Sequence, residues 1–376
     1  MLAGDEGQGV ACARRLYAQA RVSSTKSGNN FVKFSSAVLA ALFLVGASPP
    51  PGVDGARLLA DAAAPKLSDY RLFADTAGRV PAAGMSRYTL NTPLFSDYAE
   101  KFRYVWIPKG MAAKYTDAGV LDFPVGTTIV KTFAYPADFR APANAVRAIE
   151  TRLLIRKTSG WVPLTYVWNS DQSEAVLKRA GAHVAVGFVD IAGVVQQIDY
   201  AVPNTNQCKQ CHLSGDTVTP IGPTAENLND GQQLGAMAAS GRLTGLPAAP
   251  PRLVRWDDAA APVAARARAY LDVNCGHCHS RTGFASNSGL YLQHDEPNPV
   301  HAGIGKHPVA AGRGSGGRNV AIAPGDPDAS ILLHRMESNE PGVMMPQFGR
   351  SVPHAAGVAL VRAYIAGMTS HAASSP

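Results

Sequence analysis

The chain has 376 residues, 46% hydrophobic and 17% charged, which is enough material for two domains with separate cores. Its formal net charge is +7, but Arg14, Arg15, Arg21, Lys26 and Lys33 against Asp5 and Glu6 put +3 of this in the first 47 residues, leaving +4 for the rest. No basic run is interleaved with aromatic residues, so nucleic acid is excluded as an expected partner.

Lys26 and Lys33 precede an apolar run, Ala37–Ala47, in which Val45 and Ala47 suit the −3 and −1 positions of a cleavage site. Residues 1–47 are therefore expected to be a signal peptide, longer than usual before the apolar run, and the protein to be periplasmic or otherwise exported. The run is roughly a dozen residues, short of the about 20 that span a bilayer, so no transmembrane segment is expected in the mature chain. No cysteine lies near the cut to carry a lipid anchor, and Ala13–Tyr17 is a poor match to a twin-arginine signal. Residues 48–66 are rich in Pro, Gly and Ala and read as a linker, with order beginning near Leu67.

From 67 to 202 the pattern is that of strands: 102–107, 127–133, 148–155, 161–168 and 184–189 are β-branched and aromatic, and several alternate. Turn signals such as Pro108-Lys-Gly110 and Ser159-Gly160 separate them, and a mostly antiparallel β domain, sandwich or barrel, is expected. In the junction segment 203–255, residues 213–255 combine loop-like stretches with one helix around 232–240. In 256–376 helices are expected over 259–273, from Asp326-Pro327 to about residue 336, and over 354–368, where Val358, Val361, Tyr364, Ile365 and Met368 share a stripe. Tyr270 and Leu271 are expected to pack on that stripe. The fold class expected is α+β and multidomain: an N-terminal β domain, a junction segment, and a C-terminal all-α domain.

Four of the five cysteines fall in two Cys-x-x-Cys-His pentads, Cys208-Lys-Gln-Cys211-His212 and Cys275-Gly-His-Cys278-His279; the fifth, Cys12, lies in the expected signal segment. Two thiols at this spacing can form thioethers to the vinyl groups of one haem, and the adjoining histidine then reaches the iron. A four-cysteine zinc site prefers pairs about 15–20 residues apart and needs no histidine after each. A redox dithiol or structural disulfides would likewise leave His212 and His279 unexplained. Two covalently bound haem c groups are therefore expected, and their four propionates would roughly cancel the positive charge. Haem attachment takes place outside the cytoplasm, in agreement with the export signal.

A helix entering the second pentad and a helix closing the chain resemble a class I cytochrome c, which needs a sixth ligand between them. Met345, before Pro346, is the expected ligand opposite His279; Met344 and Met336 are the lesser choices, Met336 reading better as a core residue. For His212 the choices are Met237, at a spacing that also suits a helix core, His183 on a strand, or an open position. His294, His301 and His307 read as surface residues, and Ala311–Gly317 as a flexible loop.

The stretches Leu94–Lys101, Phe123–Gly126, Ile149–Leu154, Tyr166–Asn169, Asn274–His279, Pro324-Gly325 and Met345-Pro346 together resemble a largely uncharacterised bacterial family of dihaem c-type cytochromes, known only by a locus-tag name. The resemblance covers roughly residues 67–368 and implies haem binding at Cys208, Cys211, His212, Cys275, Cys278 and His279, without a substrate. More weakly, a β domain with Val125–Lys131 ahead of a haem pentad is similar to cytochrome P-460, in which a lysine is cross-linked to the macrocycle. Lys131 would be that lysine; otherwise it is a strand lysine facing water.

The expected function is one-electron transfer by an exported dihaem cytochrome with redox partner proteins. Two alternatives stand beside it. One is a haem enzyme whose open first iron meets peroxide or a small nitrogen compound; the other is a haem-based sensor or binding module.

Overall fold

A computed structural model of the protein describes residues 52–117 and 119–369, so the signal expected over 1–47 lies outside the described residues. The chain enters through α1 (Gly55–Leu59), where the Asp54 carboxylate accepts from Arg57 N. Leu58, Ala64 and Leu67 are buried in a core, and Leu177 N donates to Pro65 O. The linker expected over 48–66 is thus part of the fold from residue 53 onward, because its apolar side chains cover a sheet.

A short hairpin, β1 (Phe73–Asp75) with β2 (Val80–Pro81), leads to β3 (Met85–Arg87) and β4 (Glu100–Trp106). After β5 (Ala113–Lys114) come β6 (Thr128–Tyr135), β7 (Arg147–Lys157), β8 (Gly160–Trp168) and β9 (Ala175–Leu177). Six of these form one antiparallel sheet in the order β3-β4-β6-β7-β8-β9. Next, β10 (Ala182–Val189) and β11 (Val195–Val202) make a separate hairpin. The strands read from the sequence are all present, in a single six-stranded sheet with an accessory hairpin.

Register divides this sheet into two faces with different covers. One face presents Val130, Leu153, Leu164 and Tyr166 to the buried Leu58–Phe73 segment. The other presents three successive cross-strand rows: Val105–Ile129–Leu154–Pro163, then Arg103–Lys131–Arg152–Thr165, then Lys101–Phe133–Glu150–Val167. Ile129 belongs to a core with Tyr88, Leu121 and Leu228, and Phe133 to one with Val186, Phe188 and Tyr200 of the hairpin. The middle row is left between two apolar covers.

The rest of the chain packs onto that gap. It comprises α2 (Thr205–His212), the two-residue strands β12 (Leu213–Ser214) and β13 (Thr217–Val218), α3 (Ala225–Leu228), α4 (Gln233–Ala239) and β14 (Leu243–Thr244), which pairs in parallel with β5. Then come α5 (Val263–Leu271), continued by a wider helical turn over Asp272–Gly276, α6 (Ile331–Glu337) and α7 (Ala355–Ala366). Among the described residues no helix is long and apolar enough to cross a membrane. Tyr270 and Leu271 share a core with Val361, Tyr364 and Ile365.

The expected C-terminal all-α domain is not what forms. The described residues are a mixed structure, with seven helices, 21% helical and 26% strand, in one compact unit. Between Gly276 and Ile331 the chain has only short 3-10 turns and single bridges such as Ile304↔Ile322 and Val320↔Ser330. The helix expected from Asp326-Pro327 starts only at Ile331, with Ser330 at its cap. The physical reason lies in the Gly- and Pro-rich stretch, which favours turns, and in what completes the region. Phe95 N donates to Asn274 Oδ1, Ser351 N and Val352 N donate to the Asp97 carboxylate, and Leu94 packs on Leu253 and Val273. The β region supplies part of the C-terminal core.

Candidate functional site

The first pentad occupies α2 because residues 204–207 start a helix. Asn204 Oδ1 accepts from Asn206 N and Gln207 N while Gln207 Oε1 accepts from Asn204 N, a complete capping box. Cys208 is buried against β8, with its sulfur 4.0 Å from Thr165 Oγ1. The helix ends at His212, which Thr219 holds through three contacts: Thr219 N and Oγ1 donate to His212 O, and Thr219 O lies 2.7 Å from His212 Nδ1. An Nδ1–H donated to that carbonyl leaves Nε2 with its lone pair free for a metal. Burial holds the His212 imidazole neutral, with its pKa pushed down to about 3.

The second pentad emerges from α5 through the wider turn. Cys275 is half-buried, its thiol pushed up to about 12 by desolvation, and His279 N donates to Cys275 O. Ser288 Oγ stands 3.4 Å from His279 Nδ1, and burial lowers the His279 pKa to about 4. Gly283 passes so close to the carbonyl of Cys278 that an added Cβ would lie 2.3 Å from its oxygen, so the loop after the pentad requires glycine there.

Folding brings the two pentads together. Cys211, His277 and Cys278 have donor atoms within 4.8 Å of one another. The two cysteines are free thiols, and a hydrogen bond donated by Cys278 to the Cys211 sulfur holds the Cys211 pKa below its ordinary value. Two cavities meet at this point. One, of about 410 Å³, is lined by Cys275, Cys278 and His279 together with Cys211, Met336 and Met345. The other, of about 100 Å³, is lined by Cys208, Cys211 and His212 with Arg103, Lys131 and Arg152 of the sheet.

Of the sixth-ligand choices, Met345 stands in the cavity of His279, as does Met336, which is also buried in the helical core. Met344 is among neither cavity's lining residues. Met237 lies on α4 and packs against the core around Tyr88 and Leu234, away from the cavity of His212. His183 is on the exposed hairpin, 2.8 Å from Asp199. His294 is not a bare surface residue: it bridges Asp272 (3.1 Å) and Glu226 (3.4 Å).

Sequence reasoning missed three residues. His277 lines both cavities, and its Nδ1 is buried without a hydrogen-bond partner among the described residues, as is Gln210 Oε1. Arg350 is buried and donates to the carbonyls of Met345, Arg335 and Ser338, fixing the loop that carries Met345. Arg152, read only as part of a strand, faces the first pentad. The free Nδ1 of His277 has no sequence signal, since it depends on a neighbour that comes from α2. No family model, curated protein or solved structure matches the chain.

Proposed function

We propose that the chain carries two covalent haem c groups, on Cys208, Cys211 and His212 and on Cys275, Cys278 and His279, and transfers single electrons to and from redox partner proteins. The observation that carries this reading is the convergence of the pentads. Each lines its own cavity with both cysteines and its histidine, and the cavities meet where Cys211 and Cys278 adjoin. The larger cavity lies within the range of about 300–1,000 Å³ usual for cofactors. The smaller is tight, and a macrocycle there requires Cys211 to turn from Cys278 toward it.

The donor chemistry fits. His212 and His279 are half-buried and neutral, His212 with Nδ1 engaged by a backbone carbonyl, which leaves Nε2 for an iron. Met345 offers a thioether in the cavity of His279, and Arg350 holds its backbone in place. Near His212 the available imidazole is His277, and no methionine lines that cavity. Bound haem would supply the Fe(III)/Fe(II) couple, with thioether ligation raising the potential relative to bis-histidine.

A second reading rests on Cys211, His277 and Cys278, a soft, three-donor cluster that suits a zinc ion. Pyridine haemochrome and elemental analysis of protein expressed with export and haem attachment separate the two. The electron-transfer reading expects two haems per chain and no zinc, with Met345→His lowering the potential of one haem. Stoichiometric zinc without haem would establish the second reading instead. Uptake of carbon monoxide by one reduced haem would add a ligand-binding function at the first pentad.

A further inference from the structure

The row Arg103–Lys131–Arg152 places three cations directly opposite one another on adjacent strands. Like charges in cross-strand register repel, so such a row is destabilising unless counter-charge is provided. On this face the sheet provides one carboxylate, Glu150, and it is used up; Glu100 of β4 alternates to the other face. Glu150 takes both Arg152 Nε (2.9 Å) and Arg152 Nη2 (2.5 Å), and Tyr200 Oη donates to the same group at 2.6 Å. Arg103 donates only to Lys101 O, and Lys131 makes no hydrogen bond or ion pair among the described residues. Its ammonium lies 4.9 Å from the Phe133 ring, which Arg152 also covers at 4.2 Å.

All three cations line the cavity of about 100 Å³ beside His212, together with Thr165 and the apolar Ile129 and Leu154 of the neighbouring row. Burial, and then the neighbouring cations, hold the Lys131 pKa well below its ordinary value. Removal of a cation from water without a partner is expensive, and an anion in the cavity would offset that cost. The cavity has room for a group of a few heavy atoms.

We infer that the Arg103–Lys131–Arg152 row is an oxyanion-binding site, with Lys131 and Arg103 as the free donors and the Arg152–Glu150 pair fixing the third. The same chemistry has two sources: a small free oxyanion, or a carboxylate arm of a prosthetic group joined to Cys208 and Cys211. The site itself does not depend on the haem reading, because its charge comes from the sheet alone.

Calorimetric titration of the purified full chain with inorganic phosphate tests it, with haem content measured separately. If wild type binds phosphate and Lys131→Met binds at least about tenfold more weakly, the site takes a free anion. If wild type shows no binding but Cys208→Ser/Cys211→Ser does, and Lys131→Met removes it, the row is occupied by the tethered carboxylate. Arg103→Gln serves as a second variant, with circular dichroism confirming that each protein is folded. Binding by neither parent, or binding unchanged in both variants, overturns the inference; absence of haem would defeat the cytochrome reading and leave this one standing.

Discussion

Arg350 and Lys131 show how much a single side chain depends on where its neighbours come from. The Arg350 guanidinium is buried against the carbonyls of Arg335, Ser338 and Met345, with Asn339 Oδ1 3.3 Å away. Replacement by Met leaves these acceptors without a donor and is expected to cost about 3 kcal/mol in urea unfolding, and Arg350→Lys will not restore it because an ammonium lacks the planar fork. Lys131 alternates with buried Val130 and Thr132 on β6, the pattern of a strand lysine facing water. Period-2 alternation tells which residues share a face, but not what covers that face. Here the cover is α2 and the first pentad, contributed from far along the chain.

At the level of elements, helix α2 and the contact between α5 and α7 are governed by local features with different legibility. The Asn204–Gln207 capping box is written in four consecutive residues, and Asn204→Ala is expected to lower thermal stability by about 1 kcal/mol. Gly357 is different. It lies within the α7 helix, where Ala would ordinarily gain about 1 kcal/mol, but a Cβ there would lie 2.3 Å from the Tyr270 ring. Gly357→Ala should therefore destabilise by about 1–2 kcal/mol through overpacking, and Tyr270→Ala in the same chain should relieve the clash, as a double-mutant cycle by chemical denaturation would read. The sequence stripe of Val358, Val361, Tyr364, Ile365 and Met368 lies on the right helix, but leaves out the glycine at the closest approach.

Across the whole molecule, the segment between β3 and β4 ties the sheet to the C-terminal region. Asp97 and Tyr98 both adopt left-handed backbone, φ 47° and 62°, which side chains other than glycine resist. That arrangement puts the Asp97 carboxylate on Ser351 N and Val352 N, and sets Phe95 against His354 with ring centroids 4.3 Å apart. Burial lowers the His354 pKa to about 4. Its folded value lies below the unfolded value of about 6.5, so the neutral form carries the stability. This contribution is complete above about pH 6.5 and is lost as pH falls toward 4. Melting curves across that range should show a decline in wild type and a shallower one in His354→Phe.

The sequence by itself determined the strands of the main sheet, the helices around the second pentad, and the two sets of cysteines and histidines. Each is a short-range pattern: alternation for strands, a 3.6-residue stripe for helices, and a fixed spacing for the pentads. The tertiary structure alone decided that the pentads adjoin, that Met237 belongs to a core away from His212, and that the C-terminal helices share a compact unit with the sheet. It also decided that three basic strand residues face a cavity. These are contacts between distant segments, whose partners are chosen by packing and by the burial of polar groups, and no local pattern records that choice.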